Sequence, residues 1–561
     1  MSPALRRALP WLGLLVVLLL VGLVPYHNLV DHVPWGPDAA KWVDRGTVDD
    51  PNWRHWVFSS KHFIGYRPVP ALSFVLNELL TGYEPWGYRL TDLLLHCLVG
   101  AMLFDVHRRL TGEQGAWGLV AVVLLLAHPA TEEVVPFVAR RSYLLQALFS
   151  LISVSLTLWA LGAVAPWRRW LAWAGVALCT GLALLSNEGA FVVLVWLPLI
   201  AVALTPGSPA IRLRAVLPLT PTLLVAVAVL ARRVAVLGSL TGGYGKHYFA
   251  FSRAGKILWR NMAEPDHVAI VDACIRYGLA PHGVTGNWVP GLRELVPLTG
   301  ASLVLGVLLH AWATPTPQQG ELDRRWVGPL LLVWMGGAIG IVAASGTWFW
   351  RQGYFLLPPL GLALAMLAGQ LIRDARSRRW VGLASLPALT LVPAAVLATG
   401  PLLLGMNESA NANRVLYGQH VHDIRALTAE AQGPGTVLLA LRGKAGPIHN
   451  VRIWSNRFGA ERGLVFKVLA RDANNGNERR GKLALRRPGG RAQLVIDGKQ
   501  VKWETTRLFG VSLRGVEKLW LDRFYVDTER RWLYIVPDGQ PTLEPIGPPP
   551  SKGSGAGAHD R

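Results

Sequence analysis

Apolar runs of about 17–25 residues recur along this chain from residue 8 to residue 404, each long enough to cross about 30 Å of hydrocarbon. In hydrocarbon a backbone has no water to bond, so each run must satisfy its own N–H and C=O groups as a helix. Hydropathy predicts about eleven spans, near 8–25, 87–106, 116–127, 142–163, 170–186, 189–204, 215–234, 297–313, 327–345, 354–372 and 380–404. The third is too short to cross straight, and its outer end is expected to continue into 128–141. The expected fold class is therefore mainly α, a polytopic transmembrane helical bundle. Only 16% of the 561 residues are charged, well under the roughly 25% of soluble domains.

The formal net charge of +21 would suggest nucleic acid on a soluble protein. Here the cations fall in short loops, which removes that reading and supplies an orientation. Arg6 and Arg7, Arg108 and Arg109, Arg168 and Arg169, Arg212 and Arg214, Arg324 and Arg325, and the cluster from Arg373 to Arg379 alternate with the spans. They share one face, expected to be cytoplasmic, with the N-terminus on that side. Loops 26–86, 128–141, 187–188, 235–296 and 346–353 then face outward. Arg232 and Arg233 break the rule at an outer end, either snorkelling to headgroups or meeting an anionic ligand. The first 25 residues have a signal-like Arg pair and apolar core but no small-residue cleavage site, and are read as a retained anchor. Cys97, Cys179 and Cys274 show neither disulfide nor metal-ligand spacing.

The helical region is expected to occupy 1–404. Within it, residues 68–86 are amphipathic and too short to span, suiting the interface plane. The long loop 235–296 carries no recognisable motif. From 405 the pattern changes to short β-rich runs punctuated by Asn475-Gly476 and Asp497-Gly498 turns. A C-terminal β-rich extracytoplasmic domain is expected over 405–545, followed by a disordered tail over 546–561. Its Arg479, Arg480, Lys482, Arg486, Arg487 and Arg491 make it locally basic, fitting a solvated surface or anionic glycan or lipid headgroups.

The stretch 26–68 combines five aspartates, Asp31 and Asp38 among them, with Trp35, Trp42, Trp53 and Trp56. A partly buried carboxylate here suits a general base, because burial raises its pKa toward the working pH. Four further segments carry a resemblance: Tyr66-Arg67-Pro68 with the apolar stretch after it; His128-Pro129 with Glu133 and Arg141; Ser186-Asn187-Glu188-Gly189; and Arg351-Gln352-Gly353-Tyr354-Phe355. Together they resemble the bacterial relatives of the tetratricopeptide-linked transmembrane O-mannosyltransferases, within the GT-C glycosyltransferase superfamily. The resemblance is best over about 8–200, returns near 345–360, and leaves out the C-terminal domain.

That resemblance implies an enzyme that moves a sugar from a polyprenyl-phosphate donor to an acceptor on the outer face, with inversion. Its paired loop acids fall on Pro37 and Asp38, so the pair is incomplete; Asp38 is the expected base and Asp31 the rival. Arg351, Tyr354, Arg141 and His128 are the expected donor-phosphate contacts, arginine's planar fork suiting phosphate oxygens. Tyr66, Arg67, Glu133 and Glu188 are expected to line the cavity. Glu133 and Arg141, about 80° apart around a helix, are equally suited to an ion pair, and His128-Pro129 to ending a helix. Asp92 and His96, one turn apart, fit interhelical hydrogen bonds better than a metal site or proton relay. No cofactor is implied; some GT-C enzymes use a divalent cation, but the acids here mark no ligand set. The expected partners are the lipid-linked donor, membrane lipids and a protein, glycan or lipid acceptor of unknown identity, in a bacterial inner membrane. A non-catalytic membrane scaffold, or a transporter, displaying the C-terminal domain is the alternative.

Overall fold

The computed structural model describes residues 3–23, 51–59, 65–82, 84–112, 117–128, 134–162, 165–238, 296–314, 322–344 and 350–377, ten strands between 435 and 545, and a few isolated positions such as Tyr26 and Thr131. Among these, a helix stands on each of the first ten apolar runs. With three further helices between the runs (α2, α3 and α9), the described helices are α1 (Pro3–Val17), α2 (Trp53–Ser59), α3 (Pro68–Thr81), α4 (Pro85–Thr111), α5 (Trp117–Ala127), α6 (Arg141–Leu161), α7 (Pro166–Leu184), α8 (Phe191–Leu204), α9 (Pro209–Arg214), α10 (Thr220–Leu237), α11 (Val296–Ala313), α12 (Val327–Ala344) and α13 (Leu357–Ser377). The eleventh run lies largely outside the described residues, as does loop 239–295. Proline opens α3, α4, α7, α9 and α10, where its missing N–H would have no helical partner anyway.

Among the described residues, four helical stretches are long and apolar enough to cross a membrane: Trp86–Thr111, Val138–Leu161, Pro209–Leu237 and Gly353–Arg373. Burial has the pattern of a chain solvated by lipid. Arg89 and Arg141 are wholly enclosed, while Leu178, Leu223, Leu224 and Val227 are exposed. In water that arrangement would be costly; in a bilayer apolar side chains face the solvent and polar ones face each other.

The helix ends gather at two faces. At one, Asp323 takes a hydrogen bond from Arg212 at 3.1 Å and two from Arg325 at 2.9 Å, and its backbone N–H reaches Leu204 O at 2.8 Å. The Arg324 guanidinium also lies against Gly112, the left-handed cap of α4 (φ 70°). Three of the loops read as cytoplasmic from their cations therefore meet on one side. The opposite ends of the same helices, where α4, α6, α8 and α13 begin and α5, α7 and α10 end, form the second face.

The described strands belong to a second compact unit, made up of His32–Asp44 and Ala410–Arg561. Its largest sheet has the order β10-β9-β8-β1-β2, with β1 (Gly435–Gly443) parallel to β2 (Leu464–Asp472) and antiparallel to β8 (Phe524–Asp527), and with β9 (Trp532–Ile535) and β10 (Thr542–Pro545) continuing beyond β8. β3 (Leu483–Arg486), β4 (Gln493–Ile496) and β5 (Lys499–Gln500) form an antiparallel meander.

Candidate active site at one end of the bundle

The turn Glu188–Ala190 joins α7 to α8, and Asn187 begins it by accepting the Gly189 N–H at 3.0 Å. This aims the Glu188 carboxylate at two arginines from distant parts of the chain. Arg67, the residue before α3, donates to Oε2 through Nη2 at 2.8 Å and Nε at 3.2 Å; Arg233 of α10 donates to Oε1 at 2.8 Å. Burial alone would raise the Glu188 pKa, but the Arg67 and Arg233 guanidiniums outweigh it and hold the carboxyl down at about 2. Two cations on one carboxylate leave a local surplus of positive charge. Arg232 beside them donates to Phe58 O at 2.9 Å, an oxygen that also accepts from the Tyr66 hydroxyl at 3.0 Å, so the end of α2 is tied to α10.

Arg141 opens α6 and is fully buried. Its Nε donates to Asp92 at 2.5 Å, Nη1 to Asn77 Oδ1 at 2.5 Å and to the Ser73 oxygens at 3.3 Å, and Nη2 to Tyr88 O at 3.0 Å. The guanidinium carbon lies 4.4 Å from the Phe74 ring centroid. One side chain thus clamps α3 and α4 to α6, and its hydrogen bonds are spent on protein. Arg89 donates to Pro136 O and adds a second tie between α4 and the segment before α6.

A third set of contacts runs through the core. Tyr354 shares a hydrogen bond with His96 Nδ1 at 3.1 Å, and the Tyr26 ring stands edge-on to the same imidazole. Thr131 Oγ1 donates to His128 O at 2.7 Å, so the Tyr26 hydroxyl, 2.9 Å away, is the donor in its bond to Thr131. His128 itself is buried where α5 stops, as its following proline leads one to expect.

Between α6, α8, α12 and the start of α13 lies a narrow, partly open apolar cleft, lined by Gln146, Ser150, Val192, Trp334, Tyr354 and Phe355 among others. Gly189 also lines it, one residue from Glu188. A Cβ at Gly189 would sit 2.7 Å from the Phe355 ring, which also stacks on Tyr143 with centroids 5.0 Å apart. The cleft and the Glu188 cluster are thus neighbours through the backbone of a single turn.

Of the residues expected from sequence, Tyr66, Arg67 and Glu188 come together with Arg233, and Tyr354 lies on the cleft. Arg141 and His128 are enclosed behind them. Asp38, Asp31 and Glu133 lie outside the described residues, as does the side chain of Arg351, whose backbone belongs to the turn Trp350–Phe355. Among the described residues no group of three or more His, Cys, Asp or Glu side chains is placed to hold a metal ion. Sequence reading did not single out Asn77 or Gln146, since neither sits in a motif. For Arg233 the misplaced charge was a usable signal.

No protein-family model matches the chain. A protein O-mannosyl-transferase of Xenopus laevis, tmtc2, is 38% identical over 89 residues, 16% of this chain and 10% of that protein. Its Mus musculus counterpart, TMTC2, is 32% identical over 130 residues, 23% of this chain and 15% of the relative. The chain is a sequence relative of these O-mannosyl-transferases. It matches only a tenth to a seventh of their length. Among solved structures, ArnT from Cupriavidus metallidurans bound to undecaprenyl phosphate aligns over 82% of this chain and 86% of its own, at TM-score 0.43 and 14% identity. An Archaeoglobus fulgidus oligosaccharyltransferase aligns over 81% and 63%, at TM-score 0.42 and 10% identity. Likenesses this distant carry no further weight for this O-mannosyl-transferase relative.

Proposed function

We propose that this chain is a GT-C-type membrane glycosyltransferase that moves a hexosyl group, mannosyl first among candidates, from a polyprenyl-phosphate donor to an acceptor on the outer face. The observation that carries this reading is the Arg67–Glu188–Arg233 cluster beside the apolar cleft. A lipid-phosphate sugar needs cations near its phosphate and a sheltered cleft beside them for the group it carries, and both occur here at one helix-end face. The sequence relatives support the reaction class, and their name makes a protein the first acceptor to test.

In the proposed reaction Asp38, or else Asp31, takes the proton from the acceptor hydroxyl. The acceptor oxygen attacks the anomeric carbon on the face opposite the phosphate. The carbon–oxygen bond to phosphate breaks, its electron pair leaves with the polyprenyl phosphate, and the configuration inverts. Preorganised cations acting on the charge of a leaving group are usually the largest catalytic contribution. Arg351, Arg67 and Arg233 take that role here, with Glu188 orienting the last two. Arg141 and His128, enclosed by protein, serve as framework behind them. The α3 helix, with Leu76, Leu79 and Leu80 exposed, lies in the membrane interface and holds Arg67 at its inner end.

The test is transfer of labelled mannose from polyprenyl-phosphate mannose in membranes holding the parent, Asp38→Asn, Asp31→Asn or Glu188→Gln. Loss of transfer in one aspartate variant with normal expression identifies the base. Full transfer in both aspartate variants removes the loop carboxylate from the mechanism, and no transfer by the parent from any lipid-linked sugar removes the reading.

A further inference from the structure

Helix α6 carries a polar stripe at Ser142, Gln146, Ser150, Ser153 and Thr157, spaced four, four, three and four residues apart and so on one side of the helix. Hydroxyls and amides inside an apolar span are usually glue between helices. On either side of its middle they are: Asn187 donates to Ser142 at 3.4 Å, and Thr180 of α7 donates to Ser153 at 3.2 Å. The middle differs. Gln146 and Ser150 lie on the wall of the apolar cleft, and the Gln146 amide reaches only Ser150, at 3.4 Å. Gln146 is 5% exposed, and its carbonyl Oε1 is buried without a hydrogen-bond partner among the described residues.

An acceptor buried in an apolar wall is costly unless something donates to it. The isoprenoid chain of a lipid carrier has no donor, so hydrocarbon in this cleft would leave Gln146 unsatisfied. A sugar hydroxyl is a donor of the right kind, and the aromatic rings of Trp334 and Phe355 supply flat apolar surface for the C–H face of a sugar ring. Gln146 stands five residues into α6, about 7.5 Å below its outer end, and the cleft borders the turn that carries Glu188. A donor with its phosphate near Arg67 and Arg233 brings its sugar within reach of that depth.

We propose that Gln146 is a specificity-determining residue, whose Oε1 accepts a hydrogen bond from one hydroxyl of the transferred hexosyl group. This rests on the glycosyltransferase reading above and adds the group that reads the sugar. Discrimination follows because a site built to bond a hydroxyl is left with an unpaired buried acceptor when that hydroxyl is missing.

The experiment compares the parent with Gln146→Leu, and with Gln146→Met should the first fail to accumulate in membranes. The donors are polyprenyl-phosphate mannose and analogues in which each hydroxyl in turn is replaced by hydrogen. In the parent, one analogue is expected to lose about tenfold in kcat/KM. In the variants that difference disappears, because the native donor falls to the level of that analogue while the other analogues keep their ratios. A merely structural glutamine would lower all donors together. Parent transfer with equal effects on every analogue, or with no effect, overturns the role of Gln146 and leaves the glycosyltransferase reading standing. No transfer by the parent from any donor overturns both.

Discussion

Removing the Arg141 guanidinium would leave a charge stranded in the bundle. Arg141 and Asp92 each have 0% side-chain exposure, and the Asp92 carboxylate bonds to Arg141 at 2.5 Å. Breaking a buried pair from one side typically costs about 3–5 kcal/mol, because the survivor stays buried and uncompensated. Asn77 Oδ1 and the Tyr88 carbonyl lose a donor as well, but those losses overlap the first, and side-chain hydrogen bonds measured within membranes average only about 0.6 kcal/mol. Arg141→Ala is therefore expected to cost about 3–5 kcal/mol, and Arg141→Lys a smaller part of it, since ammonium keeps the charge but not the fork. The double variant Arg141→Met with Asp92→Leu removes both charges and should recover most of the loss, to within about 1–2 kcal/mol of the parent. Reversible unfolding in bicelles titrated with denaturing detergent measures all four proteins. A loss below about 1 kcal/mol in Arg141→Ala, or a double variant as unstable as the single, would refute the reasoning, since the clamp would then be neither buried nor coupled.

Other outcomes follow from the same structure. The Glu188 carboxyl has a folded pKa held below its unfolded value of about 4.3, so its stabilising contribution is complete above that value and is lost as pH falls toward about 2. The difference in thermal stability between the parent and Glu188→Gln should accordingly shrink as the buffer is taken from neutral to pH ~3; a gap independent of pH would show that the carboxylate is not ion-paired. Gly189→Ala forces a methyl to within 2.7 Å of the Phe355 ring, and overpacking of this kind costs about 1–3 kcal/mol, so both the melting temperature and transfer activity should drop. Asp323→Asn weakens the bonds to Arg212 and Arg325 on the opposite face; faster hydrogen exchange at 205–214 and 322–326 with unchanged donor KM is expected.

Much of the helical layout was legible in the sequence because a bilayer leaves a chain few choices. A long apolar run must close its own hydrogen bonds, so the runs near 87–106 and 142–163 appear as Pro85–Thr111 and Arg141–Leu161. The loop cations likewise marked three connections that meet on one face. Spacing along a single helix also had content: Asp92 and His96, one turn apart, both bond across to other elements, Asp92 to Arg141 and His96 to Tyr354.

Which helices become neighbours was decided only by tertiary packing. Glu188 is 121 residues from Arg67 and 45 from Arg233, and no local period records such a meeting. Arg141 shows the same limit. From the sequence its nearest carboxylate along the chain was Glu133, but in the fold the guanidinium takes Asp92, 49 residues away. The physical reason is that hydropathy constrains where a helix forms and how far it reaches, whereas the partner of a buried charge depends on the rotation and neighbours of that helix. Those follow from the shapes of all the helices at once.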